Sequence, residues 1–204
     1  MSKHEKIEKN IGLMGVLVAI VISFAGIIEI VPLMSQASVV EPVPGLEPRN
    51  PLELAGQNVY VAEGCYGCHS QQVRPFVDET LRYGHYSVAG ESVYDRPFQW
   101  GSKRTGPDLA RVGGRYSDEW HEIHLIDPRA VVPTSNMPGY PWLDETPVDI
   151  DKTVASMKVL QSLGHPYTNE QIANAADSLK DKTLLDALVA YLQDLGTAMP
   201  RGYP

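Results

Sequence analysis

The sequence predicts a mainly α protein, with one N-terminal transmembrane helix followed by a helical domain with long loops. Three observations carry that prediction. The eighteen residues from Ile11 to Ile28 hold no charge. Further along, apolar residues recur at helical spacing, and no stretch alternates convincingly in the manner of a strand. The 204 residues carry a formal net charge of -8, with 21% charged and 43% hydrophobic residues. That composition is globular and excludes a disordered or collagen-like chain. The negative balance argues against nucleic acid as a partner, because phosphate binding needs a basic face. Only two cysteines are present, Cys65 and Cys68, so there is no disulfide framework.

Residues 1–10 form a short polar N-terminus carrying Lys3, Lys6 and Lys9. A helix over residues 11–34 would be about 36 Å long, enough to cross a hydrocarbon core of roughly 30 Å. Backbone amides in lipid can pair only within the segment, so such a stretch becomes a helix in the bilayer. The lysines before it, with no base after it until Arg49, place residues 1–10 in the cytoplasm and the rest on the far side. Glu29 fits the interface at the exit end. A cleaved signal peptide is the rival reading, since Ser35 and Ala37 suit a cleavage site, but the apolar run exceeds the usual 7–15 residues. Both readings export the same domain, and the whole -8 lies on residues 35–204.

Residues 35–51 hold Pro42, Pro44, Pro48 and Pro51 and read as a stiff extended tether. Residues 52–204 are the exported domain. Asn50-Pro51-Leu52-Glu53 reads as a helix start, with Leu52, Ala55, Val59 and Ala62 on one face and Gly64 as the stop. Ser117 caps a short helix that Asp127-Pro128 ends. Five prolines between residues 128 and 147 make that span an irregular loop. Asp149 to Leu163 returns to helical spacing, and Thr168 with Gln171 is a capping box before another helix. Leu184, Leu188, Tyr191 and Leu195 stripe the last helix, closed by Gly196.

Cys65-Tyr66-Gly67-Cys68-His69 is C-x-x-C-H, the c-type haem attachment sequence. Two thiols three positions apart can reach the two vinyl groups on one porphyrin edge, and the adjoining histidine then supplies the proximal nitrogen. Gly67 is small where the backbone passes close to the ring. A thioredoxin-like site would need a βαβ context, and a structural zinc site would need further ligands. Met137, within the proline-rich loop, is the sixth ligand that best fits a His/Met pattern. Met1, Met14 and Met34 belong to the anchor region, Met157 to a core face and Met199 to a tail. His121 and His124 are its competitors, and otherwise form a partly exposed polar face. His85 and His165 lie in loops. Gly106-Pro107-Asp108-Leu109 can support the site: a carbonyl near Pro107 accepts the His69 ring N–H, and Leu109 covers the porphyrin face.

These residues resemble a known family. The C-x-x-C-H, the G-P-x-L and the later Met-Pro, between an opening and a closing helix, resemble class I cytochromes c. Gly56 and Tyr60, with Tyr191-Leu192, resemble that family's crossing helix pair. Ser70-Gln71-Gln72-Val73-Arg74-Pro75-Phe76, Arg82-Tyr83-Gly84-His85-Tyr86-Ser87, Arg96-Pro97-Phe98-Gln99-Trp100-Gly101-Ser102-Lys103-Arg104 and Asn136-Met137-Pro138 resemble the membrane-anchored mono-haem subunit (subunit II) of cbb(3)-type cytochrome c oxidases. The resemblance implies a class I cytochrome c-like domain with one covalently attached haem c. It implies a subunit of an oxygen-reducing, proton-translocating complex in which this chain transfers electrons only and holds no catalytic residue. The implied partners are the catalytic haem–copper subunit, a di-haem cytochrome c subunit or soluble cytochrome c, and the lipid bilayer. The implied location is the cell inner membrane, single-pass, with the cytochrome domain in the periplasm. A calcium ion at the interface with the catalytic subunit is also implied; the resemblance does not assign its ligands on this chain, and the Gly101–Ser102 neighbourhood is a guess at the place. The aromatic-rich stretch 70–105 reads as a docking surface for that subunit. Two other readings stand beside this one. One is an independent membrane-tethered mono-haem electron carrier; the other is an enzyme or sensor whose haem iron Met137 does not bind.

Overall fold

A computed structural model of the protein describes residues 3–199. Met1, assigned above to the anchor region, and the last residues of the 52–204 domain lie outside the described residues. The chain divides into two compact units, the first ending at Glu41 and the second beginning at Pro42.

In the first unit, α1 (Lys3–Glu8) and α2 (Ile11–Leu33) precede a single turn, α3 (Ala37–Val40). The Asn10 side chain accepts the Leu13 N–H at 3.0 Å and so starts α2. At 23 residues, with a mean hydropathy of 2.7 and no part of its most apolar window buried, α2 is long and apolar enough to cross a membrane. It ends one residue before the expected Met34.

The second unit contains α4 (Pro51–Ala62), α5 (Val77–Tyr83), α6 (Asp118–Ile126), α7 (Pro128–Val131), α8 (Trp142–Glu145), α9 (Ile150–Ser162), α10 (Asn169–Leu179) and α11 (Leu184–Asp194). Among the described residues there is no strand, only an isolated bridge between Pro147 and Thr183. The start of α4 is the expected one: Asn50 accepts from the Leu52 and Glu53 N–H groups, and Glu53 answers to the Asn50 N–H at 2.8 Å. Thr168 and Gln171 cap α10 in the same reciprocal way.

Three expectations need correction. Residues 128–147 are not loop throughout, because Pro128 occupies the first position of α7 and Pro141 immediately precedes α8, where a missing N–H costs nothing. The buried face of α4 is broader than one stripe, comprising Leu54, Ala55, Gly56, Gln57, Val59 and Tyr60, while Ala62 is exposed. The proline-rich segment is not a free tether along its length. Val43 N–H donates to the Gly90 carbonyl at 3.2 Å, and the half-buried Arg49 pairs with Asp95 and Asp194 and lies 5.0 Å from the Tyr191 ring centre.

The core is built where α4 crosses α11. Val59 and Tyr60 of α4 cluster with Leu185, Leu188, Val189, Tyr191 and Leu192 of α11, together with Leu125 and Leu143. A Cβ on Gly56 would run into the Ala187 carbonyl and the Tyr191 Cβ, so glycine is what lets the two backbones meet. The rings of Tyr60 and Tyr191 tilt against each other at 5.4 Å.

The long stretch after α4 is organised around Arg104. Its Nε donates to Ser70 Oγ at 2.7 Å, its Nη1 to Glu79 at 2.5 Å and its Nη2 to the Gln72 carbonyl at 2.8 Å. The fully buried Asp108 side chain accepts from Ser70 Oγ at 2.6 Å, from Gln72 N–H at 2.8 Å and from Ala110 N–H at 2.9 Å. Both ends of the loop are therefore tied to one another. Hydrogen bonds from Arg104, joined by Arg74, hold the Glu79 carboxyl down at about 2.

Two outcomes follow. Gly56→Ala should destabilise the protein by at least the about 1–3 kcal/mol usual for overpacking, read as a lowered thermal unfolding midpoint of the full chain in detergent. An unchanged midpoint would mean that the helices can separate without cost. The folded-state value of Glu79 is depressed, so its contribution is present above the unfolded carboxylate value of about 4.3 and fades as pH falls towards 2. Glu79→Gln should therefore be less stable than the parent at neutral pH, with the gap closing between about pH 4.3 and pH 2. Denaturant midpoints across that range check it, and a pH-independent gap would refute it.

Candidate haem site

Residues Cys65–Gly67 form one 3-10 turn shortly after α4, and the N–H groups of Cys68 and His69 both reach the Cys65 carbonyl, at 3.1 and 3.0 Å. Cys65 is half-buried, Cys68 is exposed, and neither is in a disulfide. Burial pushes the Cys65 thiol up to about 11, with the charge of Glu63 adding to it. The space beside Gly67 is open.

His69 Nδ1 lies 2.8 Å from the Pro107 carbonyl oxygen. A carbonyl can only accept, so Nδ1 is the donor, and in the neutral ring Nε2 keeps the lone pair. The strand of loop that supplies Pro107 is pinned next to the cysteine motif: Gly106 N–H donates to the Cys68 carbonyl at 3.0 Å, and Leu109 N–H to the Ser70 carbonyl at 2.8 Å. Any Cβ at Gly106 would occupy the place of the His69 ring. The Tyr60 hydroxyl approaches the His69 carbonyl at 3.5 Å, linking the motif to the helix crossing.

Met137 is half-buried, and packs with Cys65, Leu109 and Tyr140 against the core cluster of α4 and α11. Its loop is fastened to the last turn of α6, where Tyr140 N–H donates to the Leu125 carbonyl at 2.8 Å. Of the six site residues read from the sequence, Cys65, Leu109 and Met137 thus meet on one apolar cluster. His69 and Pro107 meet in one hydrogen bond, and Cys68 completes the turn between them. Met157 is wholly buried beside Tyr167 and Ile172, as a core residue. Met199, expected in a tail, is buried as well.

The expected polar face of His121 and His124 is not what the fold makes of them. His121 is 3% exposed and His124 half-buried, and burial lowers both side chains from the ordinary imidazole range. His165 is buried against the rings of Tyr94 and Tyr167. Gly101 and Ser102 are exposed, and among the described residues no group of three or more His, Cys, Asp or Glu gathers as for an ion.

The donor set fits one haem: two thiols three positions apart, a histidine nitrogen with a fixed free lone pair, and a thioether on the neighbouring apolar cluster. A cleft of about 410 Å³ is lined by Asp78, Glu79, Arg82, Tyr83, Arg104 and residues 105–107. It includes neither cysteine nor Met137. The sequence reading missed Arg104, Glu79, Ser70 and Tyr60 as supports of the site.

No curated relative matches the chain. The family described as "Cytochrome C oxidase, mono-heme subunit/FixO" matches residues 4–184. That span takes in α2, the cysteine motif, the Pro107 loop and Met137, and stops short of Tyr191-Leu192. The chain therefore belongs to the FixO family, the mono-haem subunit of cbb(3)-type cytochrome c oxidase.

Proposed function

We propose that Cys65 and Cys68 would hold one haem covalently through thioethers, and that His69 Nε2 and the Met137 sulfur would bind its iron. In this reading the chain relays single electrons, from the di-haem subunit or a soluble cytochrome c, towards the low-spin haem of the catalytic haem–copper subunit. The observation that carries it is the His69–Pro107 hydrogen bond, which frees the one nitrogen an iron would need. A haem held there would supply one-electron exchange, and ligation by both His69 and Met137 would leave oxygen no place on the iron.

The chain's own residues do the rest. Pro107 holds the His69 proton at Nδ1, and Arg104 and Asp108 hold the loop that carries Pro107. Leu109, Cys65 and the Val59–Leu188 cluster keep water away from one side of the site. The lysines ahead of α2 and its apolar length support an inner-membrane anchor with the second unit in the periplasm. Phe76, Val77 and Leu81, at the start of and along α5, are 60%, 73% and 82% exposed, and support docking on the catalytic subunit through this face. Deleting residues 70–105 would remove Ser70, Glu79 and Arg104 and with them the ties of the Pro107 loop, so point changes on α5 are the sharper probe.

Met137→Leu should leave the haem attached and abolish the absorption signature of methionine-ligated ferric iron. An unaltered spectrum would assign the sixth ligand elsewhere. Val77→Asp with Leu81→Asp should leave that signature intact and reduce the amount of the other oxidase subunits that co-purifies per haem. Undiminished co-purification would remove this face from the interface.

A further inference from the structure

Between α9 and α10 the chain turns at Gly164, in the left-handed region at φ +95°, and continues as His165-Pro166-Tyr167. His165 is 5% exposed, and neither of its ring nitrogens has a hydrogen-bond partner among the described residues. Among those residues no other histidine has both ring nitrogens buried and unpaired. A buried polar group left unpaired costs roughly 1–3 kcal/mol, and this one side chain carries two.

The ring is enclosed by parts of the chain far apart in sequence. Tyr94 lies 5.4 Å from it and Tyr167 6.2 Å, centre to centre, while the His165 N–H is held by the Leu160 carbonyl at 3.1 Å. Tyr167 donates its hydroxyl to the Arg49 carbonyl at 2.7 Å, and its ring packs with Leu54, Met157, Ile172 and Ala175. His165 thus sits where the segment before α4, the segment around Tyr94 and the α9–α10 turn meet. The charges that reach the ring are Arg96, Asp95 and Arg49. Asp95 is the one acid among them, and it is already engaged, paired with Arg49 and accepting from Gln57 Nε2 at 3.1 Å. Two cations against one committed carboxylate, in a site closed to water, suit an imidazole and not an imidazolium.

We infer that His165 is an acid-sensitive catch: protonation of its ring releases the α9–α10 turn from Arg49 and Tyr94, while the crossing of α4 with α11 holds. An added proton finds no acceptor inside, so the charged ring is accommodated only by opening the turn to water. Burial, followed by the charge of Arg96, lowers the side chain from the ordinary imidazole range. The folded-state value therefore lies below the unfolded one of about 6.5, so the turn is fully seated above that pH and is weakened as pH falls below it. Opening is local because Tyr167 and Met157 belong to a different apolar cluster from Tyr60 and Tyr191. Leu179, at the end of α10, packs with Ala55 and Ala187 and marks its far limit. Nothing proposed for the haem enters this inference.

The test is amide hydrogen exchange on the full chain in detergent with haem bound, at about pH 7.5 and about pH 5.5, either side of the ordinary imidazole value. Rates are corrected for the intrinsic pH dependence of exchange. In the parent, protection of residues 160–172 should be lost at the lower pH while α4 and α11 keep theirs. His165→Phe, which fills the same space with a ring that cannot titrate, should keep protection at both. The same loss in His165→Phe as in the parent, or no loss in the parent, would overturn the inference. So would a loss spread evenly over the chain, because the opening would then be global. Should His165→Phe fail to accumulate, His165→Leu replaces it with the same expected retention, and a parent-like loss there would again overturn the inference.

Discussion

A histidine can serve an iron only if one ring nitrogen is kept bare, and the Pro107 carbonyl imposes that condition on His69. Much of the second unit is arranged around this contact. The loop carrying Pro107 leaves the cysteine motif at Ser70 and returns to it at Asp108, and Arg104 ties the two ends together through buried charge-assisted bonds. Gly106 clears the space into which the ring fits. The Tyr60 hydroxyl connects the carbonyl of His69 to the crossing of α4 and α11. A tautomer is thereby set by elements that lie 38 residues apart along the chain.

The helices that position the site were legible because their signals are local. Asn50, Pro51 and Glu53 fall within one turn, as do Thr168 and Gln171, and a capping box needs nothing beyond its own four residues. The C-x-x-C-H motif is likewise contiguous, and so is the G-P-D-L that answers it. Gly56 was legible only through the resemblance, since its reason is a steric one supplied by α11, far along the chain.

What the sequence hid is long-range or lacks a period. Helix α5 exposes Val77 and Leu81 to the surface, so it shows no buried stripe for a reader to find. The pairing of Arg49 with Asp95 spans 46 residues, which is why the segment before α4 read as a tether rather than as part of the domain. Arg104 and Glu79 are 25 apart and meet only once the loop has closed. The histidines of α6 read as a polar face because residue type, not partner, was all that could be seen; Tyr116, Trp120 and Leu125 turn that face inward.

The half-buried thiol of Cys65 has a consequence for the newly made chain. Burial raises that thiol, so little of it is thiolate at neutral pH. Thiolate is the species that attacks in disulfide exchange, so closure of a bond between Cys65 and Cys68 is slowed from the Cys65 side.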